Sequence, residues 1–282
     1  MRGLEDLSTL GGVISLAVSS QMEVKAMLSA RIEEHTEIKI GAGDMLALFD
    51  SGATLACNSL HRWHPGIRRW VALMAQSLVG TSDLGYCNLY VTPAGRGVPL
   101  HFDDHEIIVV QLAGKKVWTF APNTNVIYPT SNSGRVFTDM VKRYAVGAIP
   151  KSIPQPSKKA IMLPGSVLFL PRGYWHQTDA LELSISITFG FRTPCWAELL
   201  SGYLMQKLIL ESAWREPAWN IYRKDANLSD LDQRWQSRRA ELEESIRHIA
   251  ATDLVEPMHV SAKELFDGYA SNPRPPTKKP NK

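Results

Sequence analysis

The chain has few cysteines and lacks long apolar runs. Its 282 residues include three widely spaced cysteines and no CxxC pair, which disfavours a disulfide framework or a structural zinc site. No apolar run reaches the roughly 18 residues that a membrane-spanning helix needs. The N-terminal segment also lacks the apolar core and cleavage site of a signal peptide. We therefore expect a cytoplasmic protein with no membrane partner.

An excess of charge of one sign is lacking as well. The formal net charge is +3, and the last twelve residues alone carry four basic side chains. The rest of the chain is therefore close to neutral, which does not support nucleic-acid binding. By contrast, 44% of the residues are hydrophobic. That share is sufficient for a buried core and too high for a disordered chain.

The hydrophobic pattern divides the chain into four parts and predicts a mainly β fold with α elements. Residues 1–83 form an α/β segment expected to complete a barrel. Residues 84–193 hold short apolar strands between Gly/Pro turns, which is typical of a double-stranded β-helix, the jelly roll of cupins. Residues 194–270 show helical spacing. Residues 271–282 are Pro-rich and basic, and we expect them to be disordered.

Individual elements are predicted within these parts. Helices are expected at 20–34 and 67–79, and a helix or turn followed by a strand at 44–55. Thr193 is the expected N-cap of the first helix after the barrel. The strands predicted for the barrel are 84–91, 106–112, 115–120, 160–162, 166–170 and 183–191.

The chemistry is concentrated in the run LHFDDHE, residues 100–106. His101 and Asp103 are two residues apart, so on a strand they point to the same face. A second apolar segment ends in a Pro/Gly break and leads to His176. Two histidines and one carboxylate converging on one metal form the facial triad of non-haem Fe(II) oxygenases, which leaves coordination positions open. A structural zinc ion would more often take a closed tetrahedral set.

Further residues could complete a co-substrate pocket. Lys116 begins an apolar strand and could bind the far carboxylate of 2-oxoglutarate. Residues 183–189 alternate strictly, with hydroxyl side chains on one face and apolar ones on the other, so Thr188 could face a polar cavity. Asn88 and Tyr90 share one face of the strand at 84–91 and could face the same cavity.

Other histidines have alternative interpretations. His61 and His64 are expected to pack or to cap a helix. His105 shares strand parity with the ligands, so it could line the mouth of the barrel, while a structural role for Asp104 and His105 beside the ligands is an equally open alternative.

Several runs together resemble the JmjC-type ribosomal oxygenases, within the cupin-like 2-oxoglutarate oxygenases. They are NLYVTPAGRGVPLHFDDHEIIVVQLAGKKVW, LPGSVLFLPRGYWHQT and ITFGFRTP. The resemblance implies a double-stranded β-helix that binds Fe(II) through the facial triad and the distal carboxylate of 2-oxoglutarate through Lys116. It also implies three positions around that co-substrate: Asn88, Tyr90 and Thr188.

The family resemblance also implies an activity and partners. Its members use O₂ to hydroxylate an amino-acid side chain of a ribosomal protein, dimerise through helices after the barrel and then carry a winged-helix domain. Residues 194–282 are too few for both, so we expect the winged helix to be missing and a homodimer through the helices. The expected substrate is a peptide or protein, and the alternative is a free or carrier-bound amino acid or another small molecule. Demethylation, a non-catalytic cupin-like module and a zinc hydrolase are further alternatives, although the last gives Lys116 no role.

Overall fold

The computed structural model describes the chain in five stretches, and it has two compact units. The described residues are 4–20, 22–28, 37–132, 139–217 and 228–254. The units meet at Thr193 and Pro194 in the chain. The first unit contains all the described strands, and the second is helical.

The described part of the first unit contains ten strands in two antiparallel sheets. Their bounds are β1 Val24–Met27, β2 Glu37–Ile40, β3 Thr54–Cys57, β4 Gly85–Thr92, β5 Glu106–Ala113, β6 Lys116–Ala121, β7 Lys158–Met162, β8 Val167–Leu170, β9 Trp175–Ala180 and β10 Ser184–Phe191. The larger sheet has the order β2-β1-β3-β4-β10-β5-β8, and the smaller has the order β7-β6-β9. This is the jelly-roll core that the sequence predicted.

Seven α-helices lie within the described residues. They are α1 Leu10–Ser20, α2 Met45–Asp50, α3 Pro65–Val79 and α4 Asp139–Tyr144 in the first unit, and α5 Trp196–Leu208, α6 Ser212–Arg215 and α7 Leu228–Arg247 in the second. The start of α3 follows from its sequence, since His64 Nδ1 accepts a hydrogen bond from the N–H of Ile67 and proline occupies the first turn. None of the described helices is long and apolar enough to cross a membrane.

The alternation of β4 and β10 separates an apolar core from a polar interior. The odd-numbered residues of both strands, such as Leu89 and Ile187, pack into a core with residues of α1 and α3. The even-numbered residues point to the opposite face, where Asn88 pairs with Thr188 across the two strands. A second apolar cluster lies on that inner side; it comprises Ile107, Val109, Trp118, Met162 and Leu170.

Most predicted elements are present with shifts of one or two residues. The predicted helix at 67–79 is α3, and each of the six predicted barrel strands is present. The helix after the barrel begins two residues later than expected, because Cys195 rather than Thr193 is its N-cap. There the Glu198 carboxylate accepts a hydrogen bond from the Cys195 N–H at 2.8 Å. The predicted disordered tail, 271–282, lies outside the described residues.

Two predictions about local structure were wrong. Within the range expected to be a helix, 20–34, the structure instead has strand β1 at Val24–Met27, which pairs with β2 on one side and β3 on the other. Residues 29–34 of that range lie outside the described residues. The β1 residues Val24 and Ala26 are fully buried, so sheet pairing overrides a helical propensity that was only local. Strand β9 was not predicted, because polar residues, His176 and Thr178, occupy buried positions of this strand and hide its pattern.

Candidate metal centre

Backbone pairing brings His101 and His176 together. The segment after β4 runs beside β9, and the two histidines form an isolated antiparallel bridge. The N–H of His101 donates to the carbonyl of His176 at 2.9 Å, and the reverse bond is 2.8 Å. Their ring centroids are 4.0 Å apart. Sheet geometry therefore sets the spacing of the two imidazoles.

Hydrogen bonds to the backbone orient both rings. His101 Nδ1 donates to the carbonyl of Pro99 at 2.8 Å, and His176 Nδ1 donates to the carbonyl of Tyr174 at 2.9 Å. With the proton held on Nδ1, each Nε2 keeps a lone pair for a metal. Burial lowers the pKa of His176 to about 4, so its imidazole is neutral near pH 7, as a metal ligand must be.

Asp103 completes the cluster. One ligand atom from each of His101, Asp103 and His176 lies within 4.8 Å of the others, and Asp103 Oδ2 is 3.6 Å from His176 Nε2. Burial acts to raise the pKa of Asp103, but the adjacent histidines outweigh it and the pKa is lowered. The carboxylate is therefore ionised. A set of two imidazoles and one carboxylate fits Fe(II) with positions left open.

Lys116 carries a charge inside the barrel. Its residue is only 2% exposed, and its Nζ donates to Thr92 Oγ1 at 3.0 Å. Among the described residues, no carboxylate forms an ion pair with it, and burial lowers its pKa to about 8. Two residues further along β6, Trp118 stacks on His176 with ring centroids 5.5 Å apart. An ammonium without a buried counterion fits the carboxylate of an acidic co-substrate.

The remaining predicted co-substrate residues share the inner face of the large sheet. Asn88 and Thr188 are direct cross-strand neighbours, and Tyr90 is opposite Ser186. Asn88 Oδ1 already accepts a hydrogen bond from the N–H of Ser59 at 2.9 Å. Burial raises the pKa of Tyr90 to about 12, so its phenol is neutral. Contact of these three residues with 2-oxoglutarate stays a prediction.

Thr92 is a site residue that the sequence interpretation missed. It accepts the hydrogen bond from Lys116 and lies opposite Ser184, whose hydroxyl accepts one from Gln111 at 2.7 Å. The signal was present, because Thr92 continues the two-residue spacing of Asn88 and Tyr90 along β4. Polar side chains of β4, β5 and β10 therefore lie next to one another at the end of the Lys116 side chain.

Among the described residues, the other histidines singled out from the sequence do not join the cluster. His105 contacts the Tyr86 hydroxyl through Nε2 and Asp104 Oδ1 through Nδ1, the latter at 2.8 Å. Its parity with the ligands thus leads to a hydrogen-bonded role. His61 Nδ1 accepts a hydrogen bond from the N–H of Cys87, while the other histidine of the pair caps α3, as expected.

One protein-family model matches the part of the chain that holds this site. Residues 68–199, which include the three clustered residues and Lys116, match the family described as JmjC domain. This match covers just under half of the chain and supports the resemblance to the JmjC-type oxygenases.

Three relatives differ in how much of their length they share with this chain. Uncharacterized protein YxbC of Bacillus subtilis is 29% identical over 95% of this chain and 82% of its own length. Ribosomal oxygenase 2 of Bos taurus is 33% identical over 44% of this chain and 24% of its own. Bifunctional lysine-specific demethylase and histidyl-hydroxylase NO66 of Drosophila willistoni is 29% identical over 58% and 20%. The chain thus spans about a quarter or less of the latter two.

A solved structure shows the same fold. YcfD, a ribosomal oxygenase from Escherichia coli determined with cobalt and 2-oxoglutarate, superposes with a TM-score of 0.55 at 18% identity. The match covers 98% of this chain and 69% of YcfD. At this identity the comparison supports the fold alone.

Proposed function

We propose that this protein is an Fe(II)- and 2-oxoglutarate-dependent oxygenase that hydroxylates an unactivated C–H bond of an amino-acid side chain in a peptide or protein. The observation that carries the proposal is the cluster of His101, Asp103 and His176, in which both Nδ1 atoms donate to backbone carbonyls. The same barrel holds the buried Lys116, with which none of the described carboxylates forms an ion pair. The name of relative NO66 records action on both lysyl and histidyl residues, which supports a side chain of a protein as the substrate.

The residues of this chain have distinct parts in that reaction. His101, Asp103 and His176 would hold iron from one side, which leaves the other side for co-substrate and O₂. Iron bound there supplies O₂ activation coupled to decarboxylation of 2-oxoglutarate to succinate. Lys116 orients the dicarboxylate by pairing with its far carboxylate, and Thr92 holds the ammonium in place.

The barrel interior protects this chemistry from water. The apolar cluster with Trp118 lies between the two sheets, and Trp118 covers one face of His176. Removal of water strengthens the charge pairing at Lys116 and limits side reactions.

The helices of the second unit carry the proposed homodimer. Trp196 and Met205 on α5, and Leu210 just after it, are each more than 60% exposed. Large exposed apolar side chains of this kind are typical of surfaces that another chain covers. A homodimer through these helices therefore remains part of the proposal.

Succinate release and substrate oxidation test the proposed function. Protein prepared without oxygen is mixed with Fe(II), 2-oxoglutarate and a peptide pool, exposed to air, and examined for succinate and for a peptide mass gain of about 16 Da, one inserted oxygen. We expect both products with wild type and neither with His176→Ala. Loss of a methyl group from a methylated peptide would indicate demethylation, and oxidation of free amino acids alone would favour the small-molecule alternative.

A separate metal titration can refute the proposed oxygenase. If added Fe(II) produces no binding heat in calorimetry and no change in the absorption spectrum of the wild-type protein, the cluster is not a metal site and the proposal fails.

A further inference from the structure

A half-buried chain of polar side chains follows directly after Asp103. Asp104 Oδ1 accepts a hydrogen bond from His105 Nδ1 at 2.8 Å, and Asp104 Oδ2 accepts one from Arg192 Nε at 3.3 Å. His105 Nε2 then meets the hydroxyl of Tyr86. We call the set Tyr86, His105, Asp104 and Arg192 the polar strut.

The donors and acceptors of the polar strut are matched along its length. His105 Nδ1 donates a hydrogen bond to the carboxylate of Asp104, so its Nε2 accepts a hydrogen bond from the Tyr86 hydroxyl. This pattern differs from that of His101 and His176, whose Nδ1 atoms donate to backbone carbonyls and which cluster with the carboxylate of Asp103. Both ring nitrogens of His105 thus form hydrogen bonds to side chains, which leaves neither available as a metal ligand.

The polar strut is part of the folded barrel. His105 is only 6% exposed, so its ring nitrogens depend on Tyr86 and Asp104 rather than on water for hydrogen bonds. Tyr86 lies on β4 opposite Gly190 of β10, and a Cβ atom at Gly190 would come within 2.3 Å of the tyrosine ring. The tyrosine ring therefore packs directly over Gly190, where any β-carbon would displace it. Strands β4 and β10 together fix the position of the Tyr86 hydroxyl.

Asp103 needs support that the two histidines do not. The spacing of His101 and His176 follows from their reciprocal backbone bonds, whereas Asp103 lies beyond that bridge and before β5. Its carbonyl accepts a hydrogen bond from the N–H of Gly173 at 2.9 Å. The N–H of Asp104 donates to Asn132 Oδ1 at 2.8 Å. The side chains after Asp103 then join this turn to β4 and to the end of β10.

We propose that the polar strut positions the carboxylate of Asp103 for metal binding, with its four members acting as positioning residues. The inference rests on the proposed metal site. Groups that orient metal ligands typically change metal affinity by 10–100-fold when they are removed. Breaking the polar strut should therefore weaken metal binding within that range, although all three ligands remain.

Cobalt(II) binding to the metal-free protein tests the inference. Tyr86→Phe is the primary variant because it deletes one oxygen atom, and Asp104→Asn is the second because it replaces one carboxylate oxygen. The matched control is His61→Asn, which removes an imidazole bound to the backbone of β4 at Cys87 but outside the polar strut. Affinity is measured by calorimetry, coordination by the visible cobalt spectrum, and folding by thermal unfolding of the metal-free protein.

We expect a 10–100-fold weaker Kd and an altered cobalt spectrum for both strut variants, with a Kd within twofold of wild type for His61→Asn. Because the polar strut acts as a unit, the protein carrying both Tyr86→Phe and Asp104→Asn should bind cobalt only slightly more weakly than the single variant with the higher Kd. Wild-type affinity and spectrum in both folded strut variants would overturn the inference, as would an equal loss in the control. If wild-type protein binds no cobalt, the proposed metal site fails and the inference fails with it.

Discussion

Replacing Lys116 with methionine should raise the free energy of unfolding of the unliganded protein and, at the same time, weaken its binding of 2-oxoglutarate. Burial lowers the lysine pKa from 10.5 to about 8. At 1.36 kcal/mol per pKa unit, keeping this ammonium inside the barrel costs roughly 3 kcal/mol near pH 7. Methionine has a similar length and no charge, so it removes that cost and loses the hydrogen bond to Thr92, worth roughly 1 kcal/mol. The net expected gain is about 2 kcal/mol in the free energy of unfolding.

The pH dependence provides the decisive assay. Below about pH 8 the lysine is charged in both folded and unfolded states, so the full penalty applies. Between pH 8 and 10.5 the folded protein holds fewer protons than the unfolded chain, and wild-type stability rises relative to the variant. Urea unfolding of the metal-free proteins should therefore show the advantage of Lys116→Met at pH 7 and its disappearance near pH 10.5.

Binding should change in the opposite direction to stability. Without the ammonium, the Kd for 2-oxoglutarate should rise by about 100-fold at pH 7, since an interaction with a buried charged partner is lost. Lys115→Met is the matched control, because the neighbouring lysine is less buried, and it should change neither quantity. A less stable Lys116→Met protein that binds 2-oxoglutarate normally would refute the anchoring role.

Four further results are expected. His176→Ala should abolish detectable cobalt binding in calorimetry, because one of three ligands is lost. Gly190→Ala should destabilise the protein to urea by about 1–3 kcal/mol, since its methyl group meets the ring of Tyr86; unchanged stability would contradict this packing. His64→Ala should cost about 1 kcal/mol in the same assay through loss of the α3 cap. The Kd of wild type for 2-oxoglutarate should rise about tenfold for each pH unit above 8, as Lys116 must take up a proton to bind; a flat profile would contradict it.

The barrel was predictable because its strands keep their alternation in the sequence. In β10, hydroxyl residues such as Ser186 alternate with apolar residues such as Ile187, and the structure buries both faces. Strand β1 was not predictable in this way. Its spacing of Val24 and Leu28 suits a helix, and only the partners β2 and β3, which no local pattern reveals, make it a strand.

The candidate site divides along the same line. The two-residue spacing of His101 and Asp103 placed both on one face, and the family resemblance supplied the position of Lys116. Side-chain hydrogen bonds were beyond prediction, because they join residues that are distant in sequence. His105 has the same parity as the ligands, and only its contact with Tyr86, nineteen residues away, separates it from them.

The metal cluster is supported by two kinds of interaction. His101 and His176 are placed by backbone hydrogen bonds of a β-bridge, and their rings are turned by backbone carbonyls two residues earlier. Side-chain substitution elsewhere leaves these bonds in place. The Asp103 turn is held in part by side chains, those of Asn132 and the polar strut. The histidine pair is therefore the robust part of the site, and the carboxylate is the part through which substitutions outside the ligand set can alter metal affinity.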